Sequence, residues 1–271
     1  MVWSAVSAEH PYRRVRAVAL RPVVQAREGA MEGARIPGAL KATGRLVADA
    51  FICRSVAAHF QAVYARVTEP PARDRPVIIF ANHHYWWDGF LCYVLGKQWK
   101  LPLSMWMEEW RWFPPFWALG ALPYPPGDTM ARARTIRQTV RLLQTPPRVL
   151  FLFPEGVLHA GFHLLPFKRS LFWLAQRVPE AQVLPLAIVI SPTLHQYPRA
   201  FLHLDTSFQA HTCSADEWLP EAHQKMTQLV ESLRQEAECL DTVEKTLQAG
   251  FSQLVKGRAS VNERWWARMM P

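Results

Sequence analysis

The sequence predicts an α/β fold: a mixed, largely parallel central sheet flanked by helices, with helical N- and C-terminal extensions. Three observations carry that reading. VIIF at 77–80, VLFLF within 148–156 and VLPLAIVI at 183–190 are short apolar runs of the kind that form strands buried on both faces. Stretches with helical periodicity separate them. Beyond Ser214 the strand signals stop and amphipathic helices take over. The chain accordingly divides into a basic arm with an amphipathic helix over 1–70, an α/β core over 71–210, and a helical extension packed on that core over 211–271.

Residues 1–40 are basic, contain glycine and proline and show weak periodicity, which predicts an irregular arm with room for one short helix. From Lys41 to Val67 the positions Leu46, Ala50, Val56, Phe60, Val63 and Val67 approximate a helical stripe. EPPARDRP ends it, because proline breaks the helix ladder and restricts the residue before it. VIIF follows as a strand, then a helix over 87–96 stopped at Gly96, and a strand near 101–105. The proline-rich run 106–127 excludes one continuous helix. Thr129 to Gln144 predicts a helix capped by Asp128. RVLFLFPEG is a buried strand entering a turn, Lys168 to Arg177 a helix, VLPLAIVI a strand and FLHLD at 201–205 another. Two amphipathic helices over 215–256 and a short basic helix over 260–269, with Trp265 and Trp266, complete the chain.

Half of the 271 residues are apolar and 20% are charged, which argues against both global disorder and a multispanning membrane protein. Cys53, Cys92, Cys213 and Cys239 are widely separated, so no zinc knuckle or disulfide framework is expected and a reducing cytosol fits best. The net charge of +9 favours anionic partners. Twelve tryptophans suit an amphipathic surface meeting a bilayer as well as a core. The opening MVWSAVSAEHPYRR is a poor signal peptide, and no window of 18 predominantly apolar residues exists. No spanning helix is expected; surface attachment stays open.

The stretch IIFANHHYWWDGF at 78–90 puts Asn82, His83, His84 and Asp88 where a strand ends and a helix begins. Side chains at the C-terminal ends of strands face the usual reaction side of such folds. If His83 sits in the loop and Asp88 in the first helical turn, the carboxylate can hold one imidazole nitrogen and leave the other as a base. A base of this kind suits attack by an alcohol on an activated acyl group, since a hydroxyl is a poor nucleophile until its proton is removed. His84 and Asp88 are i,i+4, so a rival pairing exists. A two-histidine metal site lacks a compact third ligand. The same residues also read as a helix cap beside ordinary loop histidines.

A second cluster is FPEGVLHAGFHLLPFKRS at 153–170. Gly156 allows a tight turn, and Glu155 at a strand end needs a partner if buried. Glu155 could accept from the hydroxyls of an acceptor or hold the loop carrying His83. Lys168 and Arg169, at the start of a helix, suit a phosphate. A turn carboxylate and a solvated basic pair are the plainer readings of the same residues.

Together these segments resemble the phospholipid/glycerol acyltransferase family, which includes lysophosphatidate and glycerol-3-phosphate acyltransferases. The carriers are Asn82-His83 with Asp88 after four intervening residues, Phe153-Pro154-Glu155-Gly156, Pro166-Phe167-Lys168, and Pro185 within its apolar strand, covering roughly residues 75–190. The resemblance implies His83 as the base, Asp88 as its orienting partner and Glu155, Gly156 and Asn82 as acceptor-binding or loop-orienting residues. It implies transfer of a fatty acyl group from an acyl-CoA or acyl-carrier-protein thioester to a lipid or lipid-like alcohol, with no metal and no tightly bound cofactor. N–H donors near the turn after Phe80, or after Glu155, are the expected oxyanion stabilisers. An acyl thioester hydrolase and an inactive lipid-binding scaffold of the same fold are the alternatives.

The chain departs from the family in two places. Leu158 stands where an arginine usually follows the glutamate-glycine element, and the arginine usual near Gly120 is missing until Arg132. Leucine cannot replace a bidentate phosphate fork, so either the acceptor is a neutral hydroxyl or Arg132, Lys168 or Arg169 supplies the charge. Trp86, Trp87, Trp106, Trp110, Trp112 and Trp117 are candidates for an acyl channel or membrane contact. Arg134, Arg137 and Arg141 form a basic stripe for anionic lipid, CoA phosphates or an acidic carrier protein; no nucleic-acid-reading motif accompanies it. The expected setting is cytoplasmic, peripheral on the cytoplasmic face of the membrane.

Overall fold

The computed structural model describes residues 38–108, 114–161, 163–192, 195–208 and 214–269. The chain separates into two units, Met1–Thr43 and Gly44–Pro271. Of the first, only the opening residues of α1 (Gly38–His59) are described, and the expected irregular arm lies almost wholly outside the described residues. The second unit carries one eight-stranded sheet: β1 (Ala62–Val67), β2 (Val77–Ala81), β3 (Leu103–Met107), β4 (Ala121–Pro123), β5 (Val149–Leu152), β6 (Gln182–Ser191), β7 (Arg199–Leu204) and β8 (Ser252–Lys256). Their order across the sheet is β4-β3-β5-β2-β6-β7-β1-β8. Five of the seven pairings are parallel; β6–β7 and β1–β8 are antiparallel.

The alternation of side chains along each strand sorts the core into two faces. Val77, Ile79 and Ala81 of β2 point toward α1 and α2 (Asp88–Lys97), meeting Ala48, Ile52 and Val56 of α1 and Leu91 and Leu95 of α2. Ile78 and Phe80 point the other way, toward α3 (Thr129–Leu143), α4 (Arg169–Arg177) and α5 (Ala215–Cys239). The result is a three-layer sandwich whose central strands are buried on both sides. The helix starts follow local chemistry. Asp128 caps α3 by accepting from the Ala131 N–H at 2.8 Å, as its sequence position predicts. Ser214 and Glu217 form a capping box at α5. Short α6 (Val243–Gln248) and α7 (Val261–Met269) flank β8.

Three sequence expectations need correction. The helix from Lys41 ends at His59, and residues 62–67 form β1 instead, because AVYARV finds a parallel partner in β7 with Ala62 opposite Arg199. The buried stripe of α1 is Ala48, Ile52 and Val56, whereas Leu46 is 71% exposed. Residues 252–256 form β8, not helix: Gly250, at φ +82°, turns the chain so that β8 can satisfy the free edge of β1. The described part of the aromatic run from Pro114 onward holds two short elements. A 3-10 helix spans Pro114–Leu119 and β4 follows it.

Trp218 of α5 is 1% exposed and packs against Phe172 of α4 and Phe208. Trp218→Ala should lower unfolding free energy by about 3–5 kcal/mol, read from the denaturant midpoint. His203 on β7 accepts from the Arg66 guanidinium at Nδ1, 3.2 Å, and its Nε2 lies 3.0 Å from Thr68 Oγ1. Burial, then the Arg66 charge, hold its pKa below the ordinary value against the opposing pull of Asp205 and Glu236. The unfolded chain therefore takes up this proton first. Its contribution is present above about pH 6.5 and is lost as pH falls through the folded value, so His203→Gln should flatten stability against pH in that acid range.

Candidate active site

Parallel pairing aligns the ends of β2 and β5, with Phe80 opposite Leu152. The residues that follow each strand therefore emerge side by side. Asn82, fully buried, locks the first loop to the neighbouring strand: its Oδ1 accepts from the Ile188 N–H at 2.8 Å and its Nδ2 donates to the Ile188 carbonyl at 2.9 Å. The same Nδ2 donates to His84 Nδ1 at 2.6 Å. The His84 ring is thus turned away from Asp88, and the rival His84–Asp88 pairing does not form.

Asp88 is the first residue of α2, and its side chain folds back under the loop. Its Oδ2 accepts from His83 Nδ1 at 3.1 Å and from the backbone N–H groups of His84 and Tyr85, each at 2.9 Å. Asp88 is fully buried, whereas His83 keeps 21% of its side chain accessible. The His83 ring stacks on Phe153 with centroids 4.1 Å apart. Nδ1 carries the proton given to Asp88, and Nε2 has no hydrogen-bond partner among the described residues. An imidazole held this way has one nitrogen fixed and the other presented with a lone pair.

Glu155, on the adjacent strand end, is 1% exposed. Its Oε1 accepts from the His83 N–H at 2.7 Å; its Oε2 accepts from the Leu165 N–H at 2.7 Å and contacts His159 Nε2 at 2.6 Å. Both oxygens are occupied, which favours the loop-holding over the acceptor-binding alternative for Glu155. Gly156 has φ +74°, a conformation that disfavours a side chain, and an added Cβ would lie 3.2 Å from Lys168 Cγ. Lys168 therefore lies across this turn. The backbone N–H groups of His83, His84 and Tyr85 are all given to carboxylates, and that of Gly156 to the Phe153 carbonyl at 3.1 Å. None of these four is free to be an oxyanion donor.

The other sequence candidates separate. Arg169 pairs with Asp216 at 2.6 Å on the surface. Arg132 donates to the Pro125 carbonyl at 2.7 Å and lies over the Tyr124 ring. Trp106 stacks on Tyr124 at 4.3 Å and donates to Thr139 Oγ1 at 2.9 Å, a packing role against α3. Trp117 is part-buried in the 3-10 helix; Trp110 and Trp112 lie outside the described residues. Trp87, part-buried, packs against Phe60 and His59, and Trp86 beside it is 60% exposed. Helix α3 runs from β4 to β5, so Arg141, with Arg137 and Arg177, rims a groove of about 230 Å³ at the sheet end opposite His83.

Sequence reasoning gave no site role to His159, and it named Phe153 only as part of a motif, without its stack on His83. The signal for His159 was present: it stands i,i+4 from a carboxylate that had to be paired if buried. Among the described residues no group of three or more His, Cys, Asp or Glu side chains is arranged to hold a metal ion, and no helix is long and apolar enough to cross a membrane.

Residues 62–189 match the model of the family described as Acyltransferase. This segment is similar to the acyltransferase family. It contains the His83–Asp88 pair, Glu155 and every strand from β1 to nearly the end of β6. The resemblance to phospholipid/glycerol acyltransferases is borne out. Among solved structures the chain is similar to the 1-acyl-sn-glycerophosphate (LPA) acyltransferase PlsC of Thermotoga maritima, with 24% identity over 64% of this chain and 73% of that one, at a TM-score of 0.50. At that identity the likeness concerns the fold, and it agrees with the mixed, mostly parallel sheet described above. No curated protein matches the chain.

Glu155→Ala would leave the His83 and Leu165 N–H groups without their acceptor. The expected cost is about 1–3 kcal/mol for each donor left unsatisfied, visible as a lowered thermal midpoint.

Proposed function

We propose that this protein is an acyltransferase that moves a fatty acyl group from an acyl-CoA or acyl-carrier-protein thioester to the hydroxyl of a lipid or lipid-like acceptor. The observation that carries the reading is the 3.1 Å contact between His83 Nδ1 and the buried Asp88, which leaves Nε2 as the open nitrogen. In this reading Nε2 takes the acceptor's hydroxyl proton as its oxygen attacks the thioester carbonyl carbon. The tetrahedral adduct collapses with cleavage of the carbon–sulfur bond. The departing thiolate recovers the proton from the imidazolium, and Asp88 stabilises the ring while it is charged. The products are an ester and a free thiol, with no covalent acyl-enzyme.

Asn82 and Glu155 act through the loop: one fixes it to β6 and the other to the β5 turn. Gly156 permits that turn, and Lys168 is the cation best located to meet an anionic group of donor or acceptor. Leu158, 47% exposed, occupies the position of the missing arginine, which favours an acceptor without a phosphate at that point. Exposed Trp86 beside Trp87 supports a lipid-facing mouth, and action at a membrane surface follows from acceptors of this class.

Purified protein given acyl-CoA or acyl-carrier protein with a bacterial lipid extract should form a new ester detectable by mass spectrometry. His83→Ala should reduce that product by about 100- to 10,000-fold. Acyl release that needs no added alcohol would identify a hydrolase, and unchanged ester formation by the variant would overturn the assignment of His83.

A further inference from the structure

Helix α7 is held in place without being buried. Its nine residues, Val261–Met269, follow β8 at the edge of the sheet. Helices this short are marginal alone, and α7 is stabilised at its start. The Ser260 N–H donates to Glu263 Oε2 at 2.7 Å while Ser260 Oγ accepts from the Glu263 N–H at 3.1 Å, a capping box. The Glu263 carboxylate also meets His195 Nε2 at 2.8 Å, and the Val261 N–H donates to Gln196 Oε1 at 3.1 Å. One side of the helix is thereby fixed to the loop between β6 and β7.

The opposite side is apolar and open. At 3.6 residues per turn, Val261, Trp265, Met269 and Trp266 span about 140° of arc, centred well away from Glu263. Trp265 is 53% exposed, Trp266 54%, Val261 55% and Met269 60%, and the two indoles contact each other edge to face at 5.2 Å. Lys256 and Arg258, on the strand end and segment leading into α7, and Arg264 within it are exposed. Paired tryptophans with flanking cations have the chemistry of a helix lying in the headgroup layer of an anionic bilayer.

Topology supplies the second, independent argument. β6 is parallel to β2, so the loop that grips α7 leaves the sheet at the end where His83 sits. β8 leads toward the same end, because Lys256 pairs with Ala62 at the start of β1. Beyond β8, the Arg258 N–H donates to the Phe60 carbonyl at 2.8 Å, and Phe60 packs on Trp87 with ring centroids 5.6 Å apart. An added Cβ on Gly257 would fall 1.9 Å from that carbonyl, so only glycine allows this approach. The root of α7 is thus tied directly to the aromatic cluster at the His83 loop.

We infer that α7 is an interfacial anchor: Trp265, Trp266, Val261 and Met269 insert into an anionic lipid surface and hold the His83 end of the sheet against it. The inference rests on physical features separate from the reaction proposed above, and binding is measured without turnover. The full chain should co-float with vesicles containing phosphatidylglycerol and bind pure phosphatidylcholine vesicles more weakly. Trp265→Ser with Trp266→Ser should weaken binding to the anionic vesicles about tenfold or more. Because both indoles are exposed, the double variant should keep its circular dichroism spectrum and its turnover of a short-chain, water-soluble acceptor. Vesicle binding equal to that of the parent would overturn the inference, as would absence of binding by the parent. So would a double variant whose only change is loss of a self-associated state in sedimentation. Loss of turnover on His83→Ala with vesicle binding intact would bear on the reaction alone.

Discussion

The arrangement depends on one buried carboxylate. Glu155 is enclosed between two strand ends, and a charge there is tolerated only if every part of it is answered. Its two oxygens take the His83 N–H, the Leu165 N–H and the His159 ring. One bond reaches the loop after β2 and the others bind the turn and the segment after β5, so neither loop can move without unpairing the carboxylate. The His83 ring gains its orientation in the same frame, with Phe153 on its face and Asp88 on its edge. These bonds also occupy the His83 and Leu165 N–H groups, so in the proposed reaction an oxyanion would be met by other groups.

Strand direction governs the rim of the site. In a uniformly parallel sheet every strand would leave the reaction end through a loop into a crossover connection, usually a helix. Here β6 turns directly into antiparallel β7, and β1 runs with β7. The end of α1, the start of β1, the exit of β8 and the β6–β7 loop consequently gather near the loop after β2. This is why His59 and Phe60, far from Trp87 in sequence, make ring contacts with it. The aromatic surroundings of the site are a product of topology as much as of the tryptophan-rich segments.

The parts legible in the sequence were those with a local signature. The apolar runs at 77–81, 149–152 and 182–191 became the central strands because no helix-period pattern competed with them. Asp128 announced α3, whereas spacing left His83 and His84 as rival partners for Asp88 and only the resemblance to the acyltransferase motif favoured His83. What escaped depends on distant pairing. AVYARV carries no marker as a strand until it pairs with β7, nor does SQLVK until it pairs with AVYARV. Trp106 seemed available for lipid, yet its indole N–H is spent on Thr139. Arg169 and Arg132 seemed available for phosphate, yet each has a neighbour that no sequence spacing reveals.

Asp88 shows how little freedom such a residue has. All three of its donors converge on Oδ2, while the buried Oδ1 has no hydrogen-bond partner among the described residues. An amide of the same shape has only two ways to sit there. In one, its nitrogen faces three other hydrogens; in the other, it carries two hydrogens into a spot where the existing oxygen already goes unanswered. Isosteric drift from acid to amide is therefore closed at this position by geometry, quite apart from any demand of chemistry.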